Sequence, residues 1–276
     1  MGEPSYDTLR FERHGHVGWL HLHRPEKLNA MTATMWRELG ELGGRVGEDE
    51  ELRAVVVIGD GRAFSSGIDT SVFTEGAGAA SPVPDRAARH PDPMVAGVLA
   101  VQDTFTWLET TPYVTIAAMH GYAFGAGLQL AMACDLRVMG SGTKLGLLEL
   151  QYGILPDLGG TQRLPRLVGP SKALQLIVTG ARIDADEAAR IGLADVLVSD
   201  EAVEDTARAL ADRIAAQPPL AVRGAKRAVH AAVSGRSVAD GLLVEAEAQA
   251  ACLRSDDMTE AIAAFVEQRP PVYKGA

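Results

Sequence analysis

The sequence predicts an α/β fold built on a largely parallel sheet and followed by an all-helical C-terminal block. Three observations lead to it. Short apolar or β-branched runs at 17–22, 53–61, 113–127 and 136–140 alternate with helical patterns at 31–46 and 94–109, the order expected of strand–helix units. From about residue 180 the patterns turn helical and Ala becomes the commonest residue. Hydrophobic residues make up 47% of the 276, enough to bury a substantial core.

The elements follow in order. VGWLHL (17–22) sets Leu20 and Leu22 against Trp19 and His21, which predicts a strand with two distinct faces. RAVVVIGDG (53–61) is a buried strand closed by a turn, YVTIAAMHGYAFGAG (113–127) repeats that plan, and LRVMG (136–140) is a further strand. FTEGAGAASPVPDRAARHPDP (73–93) is rich in Gly, Ala and Pro; it reads as a long loop, either a lid over a site or a solvated insertion. DADE (184–187) is an Asp-x-x-Glu capping box that opens a helix, with Gly192 near its end. Helical patterns at 201–216, 219–234, 237–253 and 257–267 complete the chain. The expected division is 1–197 for the core and 198–276 for the helical region.

Composition excludes several classes. The net charge is −10 and no Lys/Arg stripe is present, so nucleic acid is a poor partner. No apolar run approaches the ~20 residues of a membrane span, and the N-terminus carries no apolar signal core; a cytoplasmic location is expected. Cys134 and Cys252 stand alone, and the histidines form no H-E-x-x-H pattern. Reduced thiols and no metal site are therefore expected. A-F-S-S-G lacks the G-x-S-x-G frame, so Ser65 and Ser66 read as loop hydroxyls rather than nucleophiles.

Three glycine-bearing segments could carry chemistry: GDGRAFSSGID (59–69), HGYAFGAGLQL (120–130) and ELQYGILPDLGGTQRL (149–164). Where Gly-Ala-Gly leads a strand into a helix, free backbone N–H groups face outward and suit an anion or a developing oxyanion. Small residues there would equally serve tight packing. Glu149 lies among Leu147, Leu148 and Leu150; an apolar surround raises a carboxyl pKa and makes it a usable proton shuttle, although an ion pair at a strand end is the alternative. Asp157 follows in LPDLGG, where Gly153 and Pro156 imply a turn that could fold it back toward Glu149. Its alternative is a helix N-cap before Leu158.

HRPEKLNAM (23–31), GDGRAFSSGID, HGYAFGAGLQLAMACDLRV (120–138), GILPDLGGTQRLPRLVG (153–169), TGARIDADEAARIGLADVLV (179–198) and FVEQRPPVYKG (265–275) resemble, in order and spacing, the enoyl-CoA hydratase/isomerase (crotonase) superfamily. The resemblance covers nearly the whole chain. It implies a spiral of ββα units, in place of a plain doubly wound sheet, with a C-terminal helical region used in trimerisation; homotrimers or hexamers are expected. It implies an acyl-CoA thioester substrate, with coenzyme A entering as part of the substrate and no resident cofactor. The family's oxyanion hole falls on the backbone N–H groups of Ile68 and Ala126. Arg24, Glu26, Lys27 and Leu28 match the segment that lines coenzyme A. Ser66 and Asp69 lie where the adenine end is laid, and Phe265 and Lys274 match C-terminal positions that cover the nucleotide, in some members from a neighbouring subunit.

Hydratases of that family split water with two glutamates. The first position is Gln129 here; the second is Glu149. An amide can hold a water but cannot exchange a proton at neutral pH. Asp157 resembles the aspartate of dienoyl-CoA isomerases. The sequence therefore ranks first a double-bond isomerase acting through Glu149 and Asp157. A hydratase with Gln129 positioning water comes second, and a non-catalytic acyl-CoA-binding protein third.

Overall fold

A computed structural model describes residues 6–72 and 90–276. Most of the candidate lid at 73–93 lies outside the described residues.

The chain opens with β1 (Leu9–His14) and β2 (Val17–Leu22), an antiparallel hairpin turned at Gly15. Next come α1 (Ala33–Val46), β3 (Ala54–Gly59), α2 (Pro93–Thr110) and β4 (Val114–Met119). The run at 113–127 is two strands, because Gly121 turns the chain at φ 62° into the short β5 (Tyr122–Phe124). Then follow α3 (Ala126–Ala133), β6 (Leu136–Gly140), β7 (Lys144–Gly146), a 3-10 turn at Glu149–Tyr152, α4 (Gly160–Val168) and α5 (Pro170–Thr179). After them come β8 (Ile183–Asp184), α6 (Ala185–Arg190) and β9 (Val196–Val198). The Asp184 side chain accepts the Glu187 N–H at 2.9 Å, as the capping box requires. The chain closes with α7 (Val203–Ala215), α8 (Pro219–Val233), α9 (Val238–Leu253) and α10 (Asp256–Glu267).

Two sheets result. The larger runs β1-β2-β3-β4-β6-β9 and is parallel after the first pair; the smaller runs β5-β7-β8. The larger sheet divides the interior in two. Leu20, Leu22, Val55 and Val57 meet Met35 and Leu39 of α1 and Phe105 and Leu108 of α2. On the other face Val17, Trp19, Val56, Ile58 and Ile116 meet Val203, Ala207 and Ala211 of α7. β2 thus has two distinct faces, both apolar and both covered except at His21. The 197/198 division falls just before α7, whose small alanines bring it close against the sheet. Among the described residues no helix is long and apolar enough to cross a membrane.

Candidate active site

Three segments at the ends of parallel strands lie side by side. After β2, a 3-10 turn at Pro25–Lys27 ends with Leu28 and Asn29 in the left-handed region, at φ 51° and 53°. Asn is one of the few residues other than Gly that tolerates this conformation, because its amide bonds locally. Here the fully buried Asn29 amide accepts the Arg24 N–H at 2.9 Å and donates to the Asp60 and Ala63 carbonyls at 2.9 and 2.8 Å. That locks the loop after β2 onto the loop after β3. Met31 then bridges Ile68 and Ser65 bridges Ala123, both in parallel fashion. Ser65 is fully buried; its hydroxyl donates to the Asn29 carbonyl and accepts the Gly67 N–H. It is a structural hydroxyl.

This stitching turns the two candidate oxyanion donors outward. The Met31 N–H goes to the Gly67 carbonyl at 2.7 Å and the Asp69 N–H to the Met31 carbonyl at 2.8 Å, so the intervening Ile68 N–H faces away from Met31. Ala126 is the first residue of α3, where an N–H has no acceptor within the helix. Among the described residues no acceptor takes either group. Each follows a glycine at positive φ, Gly67 at 102° and Gly125 at 51°. The two glycine turns touch: a Cβ on Gly67 would lie 2.9 Å from the Phe124 carbonyl and 3.8 Å from the Ala126 nitrogen. The structure thus brings Ile68 and Ala126 together.

Glu149 converges on the same place. It opens the 3-10 turn after β7 and is buried, and a Cβ on Gly125 would lie 3.3 Å from its Oε1. Oε1 accepts from Gln129 Nε2 at 2.7 Å; among the described residues the buried Oε2 has no hydrogen-bond partner. Among the described residues Glu149 makes no ion pair, so the strand-end pairing is not what holds it. Burial pushes its pKa above the ordinary glutamate value, and the nearby Asp157 charge adds to the rise, while the Gln129 bond opposes it.

Gln129 is fully buried on α3. Its Oε1 accepts the Leu158 and Gly160 N–H groups at 2.8 and 2.9 Å, and its Nε2 faces Glu149. The amide oxygen is therefore committed to the backbone at the start of α4. Asp157 does not cap α4. The N-cap of α4 is Gly159, and Gln129 supplies the acceptor that a capping side chain would give. Asp157 is half-buried and burial raises its pKa; its own carbonyl accepts from Gln102 on α2 at 2.6 Å.

Of the positions matched to coenzyme A binding, Arg24 and Asp69 hold each other, at 2.9 Å between Nη1 and Oδ2. The Ser71 backbone N–H and then the bond from Arg24 keep the Asp69 carboxyl below its ordinary pKa. Ser66 N–H bonds the Leu28 carbonyl, which places Ser66, Leu28 and the exposed Lys27 on one rim. Phe265 and Lys274 are not brought to that rim within one chain. The C-terminal tail is held by Asp257, which accepts the Lys274 N–H at 2.7 Å, and by Arg53, which donates to the Tyr273 carbonyl. Arg53 precedes β3, whereas the rim follows it; a six-residue strand, about 20 Å, lies between. Phe265 projects from α10, 85% exposed. Sequence reasoning missed the bridging role of Asn29 and, having read Ser65 as a loop hydroxyl, did not see what it ties together; these partners lie 31 to 36 residues away.

Residues 12–276 match the family model for enoyl-CoA hydratase/isomerase. The chain is 35% identical over 264 residues to a short-chain-enoyl-CoA hydratase of Clostridium acetobutylicum, covering 95% of this chain and 96% of that one. The crystal structure of an enoyl-CoA hydratase from Bacillus anthracis superposes with a TM-score of 0.86 at 33% identity, covering 98% of this chain and all of that one. A Thermobifida fusca homologue solved in complex with acetoacetyl-CoA gives 0.80 at 37%, covering 89% and 94%. A chain with the two glycine turns, the buried glutamate and these relatives belongs to the enoyl-CoA hydratase/isomerase family.

Proposed function

We propose that this enzyme adds water across the C2–C3 double bond of a 2-enoyl-CoA. The observation that carries the reading is the buried Oε2 of Glu149, without a partner among the described residues, beside two outward backbone N–H groups. The thioester oxygen sits between the Ile68 and Ala126 N–H groups. Glu149 takes a proton from water as the oxygen bonds C3, and the electrons of the double bond move onto the thioester as an enolate. The protonated Glu149 then delivers that proton to C2. One carboxylate balances the whole addition, so a second acid at 129 is not required by stoichiometry. Each fixed N–H is worth a factor of roughly 10²–10³ because charge develops where it points. The substrate enters as its coenzyme A thioester along the Lys27, Leu28 and Ser66 rim, with no resident cofactor. Phe265 and Lys274 come to the nucleotide from the next subunit of a homotrimer or hexamer.

Relatives named as hydratases support this order of readings, which reverses the one ranked from sequence. The second reading is a double-bond shift in a 3-enoyl- or dienoyl-CoA. The half-buried Asp157 carboxylate, free of any capping duty, favours it: Glu149 would remove a proton from one carbon and Asp157 would return one to another. Incubation with trans-2-butenoyl-CoA and, separately, a 3-enoyl-CoA decides between them. A 3-hydroxyacyl-CoA from the first supports hydration. A 2-enoyl product from the second, with none from the first, selects the shift. Tight binding of both with turnover of neither leaves the acyl-CoA-binding protein.

A further inference from the structure

The amide at 129 occupies the place of an acid, yet it is engaged at both ends, accepting through its oxygen and donating through its nitrogen. Its oxygen meets two backbone donors, Leu158 N–H at 2.8 Å and Gly160 N–H at 2.9 Å. Both lone pairs of Oε1 are used. This fixes the orientation of the amide, because the reverse would set NH₂ against two N–H groups. Nε2 is thereby aimed at Glu149 Oε1, 2.7 Å away. The oxygen that accepts from Nε2 is the poorer site for a proton, so protonation falls on Oε2, which has no partner among the described residues. The fit is close: a Cβ on Gly160 would lie 2.9 Å from Gln129 Oε1. One buried side chain therefore joins the base to the backbone on either side of Leu158, adjacent to Asp157.

We infer that Gln129 is a positioning residue that locks the Glu149 carboxylate and the Asp157–Gly160 turn in a fixed relation and assigns proton transfer to Glu149 Oε2. The inference rests on Glu149 being the base. It goes beyond that reading, because it gives residue 129 a role in which it touches neither water nor substrate. A glutamate at 129 could still accept both backbone N–H groups, so the fold would survive. It would lose the donor to Glu149 and set an acceptor against Oε1. Two carboxylates in that place share a proton, and the pair resists losing it.

The test compares Gln129→Glu, Gln129→Met and Glu149→Gln with the parent, all with carboxyl-¹³C glutamate. The Glu149 signal is identified by its loss in Glu149→Gln, and its titration is followed by NMR with no substrate present. In Gln129→Glu the midpoint is expected to rise by about one pH unit or more, with the melting temperature held within a few degrees. The acid limb of kcat/KM for whichever enoyl-CoA is turned over should move with it. Gln129→Met, which offers neither bond, is expected to lose tenfold or more in kcat at little change in KM. A Glu149 midpoint unmoved in Gln129→Glu, or full kcat in Gln129→Met, overturns the inference and leaves Glu149 as base. Full turnover in Glu149→Gln removes the proposed function instead, while the titration still reports on the lock.

Discussion

Two carboxylates, the half-buried Asp135 before β6 and the buried Glu149 after β7, sit in opposite electrostatic states. Asp135 is saturated. Oδ2 receives the Thr115 N–H at 2.8 Å, the Thr115 hydroxyl at 3.1 Å and Lys226 Nζ at 2.7 Å, while Oδ1 faces His230 Nε2 at 3.2 Å. Burial alone would raise its pKa, but His230, Lys226 and Thr115 together hold it below the ordinary value. Among the described residues Glu149 takes a side-chain hydrogen bond from Gln129 and leaves Oε2 without a partner, and its pKa is raised by burial. The lesson is that burial does not make a base. Burial with incomplete hydrogen bonding does, and complete hydrogen bonding turns the same group into a structural clip. Asp135 is such a clip: it ties α8 to the sheet through Lys226, which also donates to the Tyr113 carbonyl at 2.8 Å.

The contrast can be broken from either side. Removing the base by Glu149→Gln is expected to lower kcat/KM by roughly 10²–10⁴, the range for losing a general acid–base group, without lowering the melting temperature at neutral pH. Steady-state kinetics and a thermal melt on one preparation check both. Removing the clip by Asp135→Ala should do the reverse. It leaves the Lys226 ammonium buried and unpaired, which costs about 3–5 kcal/mol, read as a lower urea midpoint.

Two smaller effects sharpen the comparison. Glu149 has a raised folded pKa, so its contribution to stability is present below its unfolded pKa and lost as pH rises through the folded one. Glu149→Gln should therefore be at least as stable as the parent at pH 7, an advantage that vanishes on acidification below the ordinary glutamate range. Asp135 has the opposite sign: its contribution is present above the unfolded pKa and lost as pH falls through the folded one. Chemical denaturation at a series of pH values separates the two. The smallest expected effect is at Asp157. If hydration is the reaction, Asp157→Asn should change kcat by no more than about threefold; a loss of roughly tenfold or more would assign it proton transfer.

Much of this was legible in the sequence, and the reason lies in range. The strands, the DADE cap and the glycine turns are local patterns, and each appears where the residues place it. Glu149 could be read because its own neighbours are leucines. Gln129 was legible as a missing acid but not as a bridge, since its partners lie 20, 29 and 31 residues away. The capping alternative stood open for Asp157 because sequence does not say that another helix supplies the acceptor. Asp135 went unmarked for the same reason: Lys226 is 91 residues downstream. α7 looked like part of a helical appendage, because its alanines carry no sign of the sheet they cover.

The two outward N–H groups also bear on how this chain tolerates change. Both donors belong to the backbone and are aimed by Gly67 and Gly125. The identity of the residue that donates is therefore nearly silent, while the residue before it is not. Ile68 and Ala126 carry the candidate catalytic groups, yet their side chains are constrained mainly by packing, as in any partly or fully buried apolar residue. Gly67 and Gly125 touch no reacting atom, yet any side chain there would need a conformation that L-residues rarely adopt. In a mutational scan, the inheritance of this site would be recorded one position upstream of the groups that perform the chemistry.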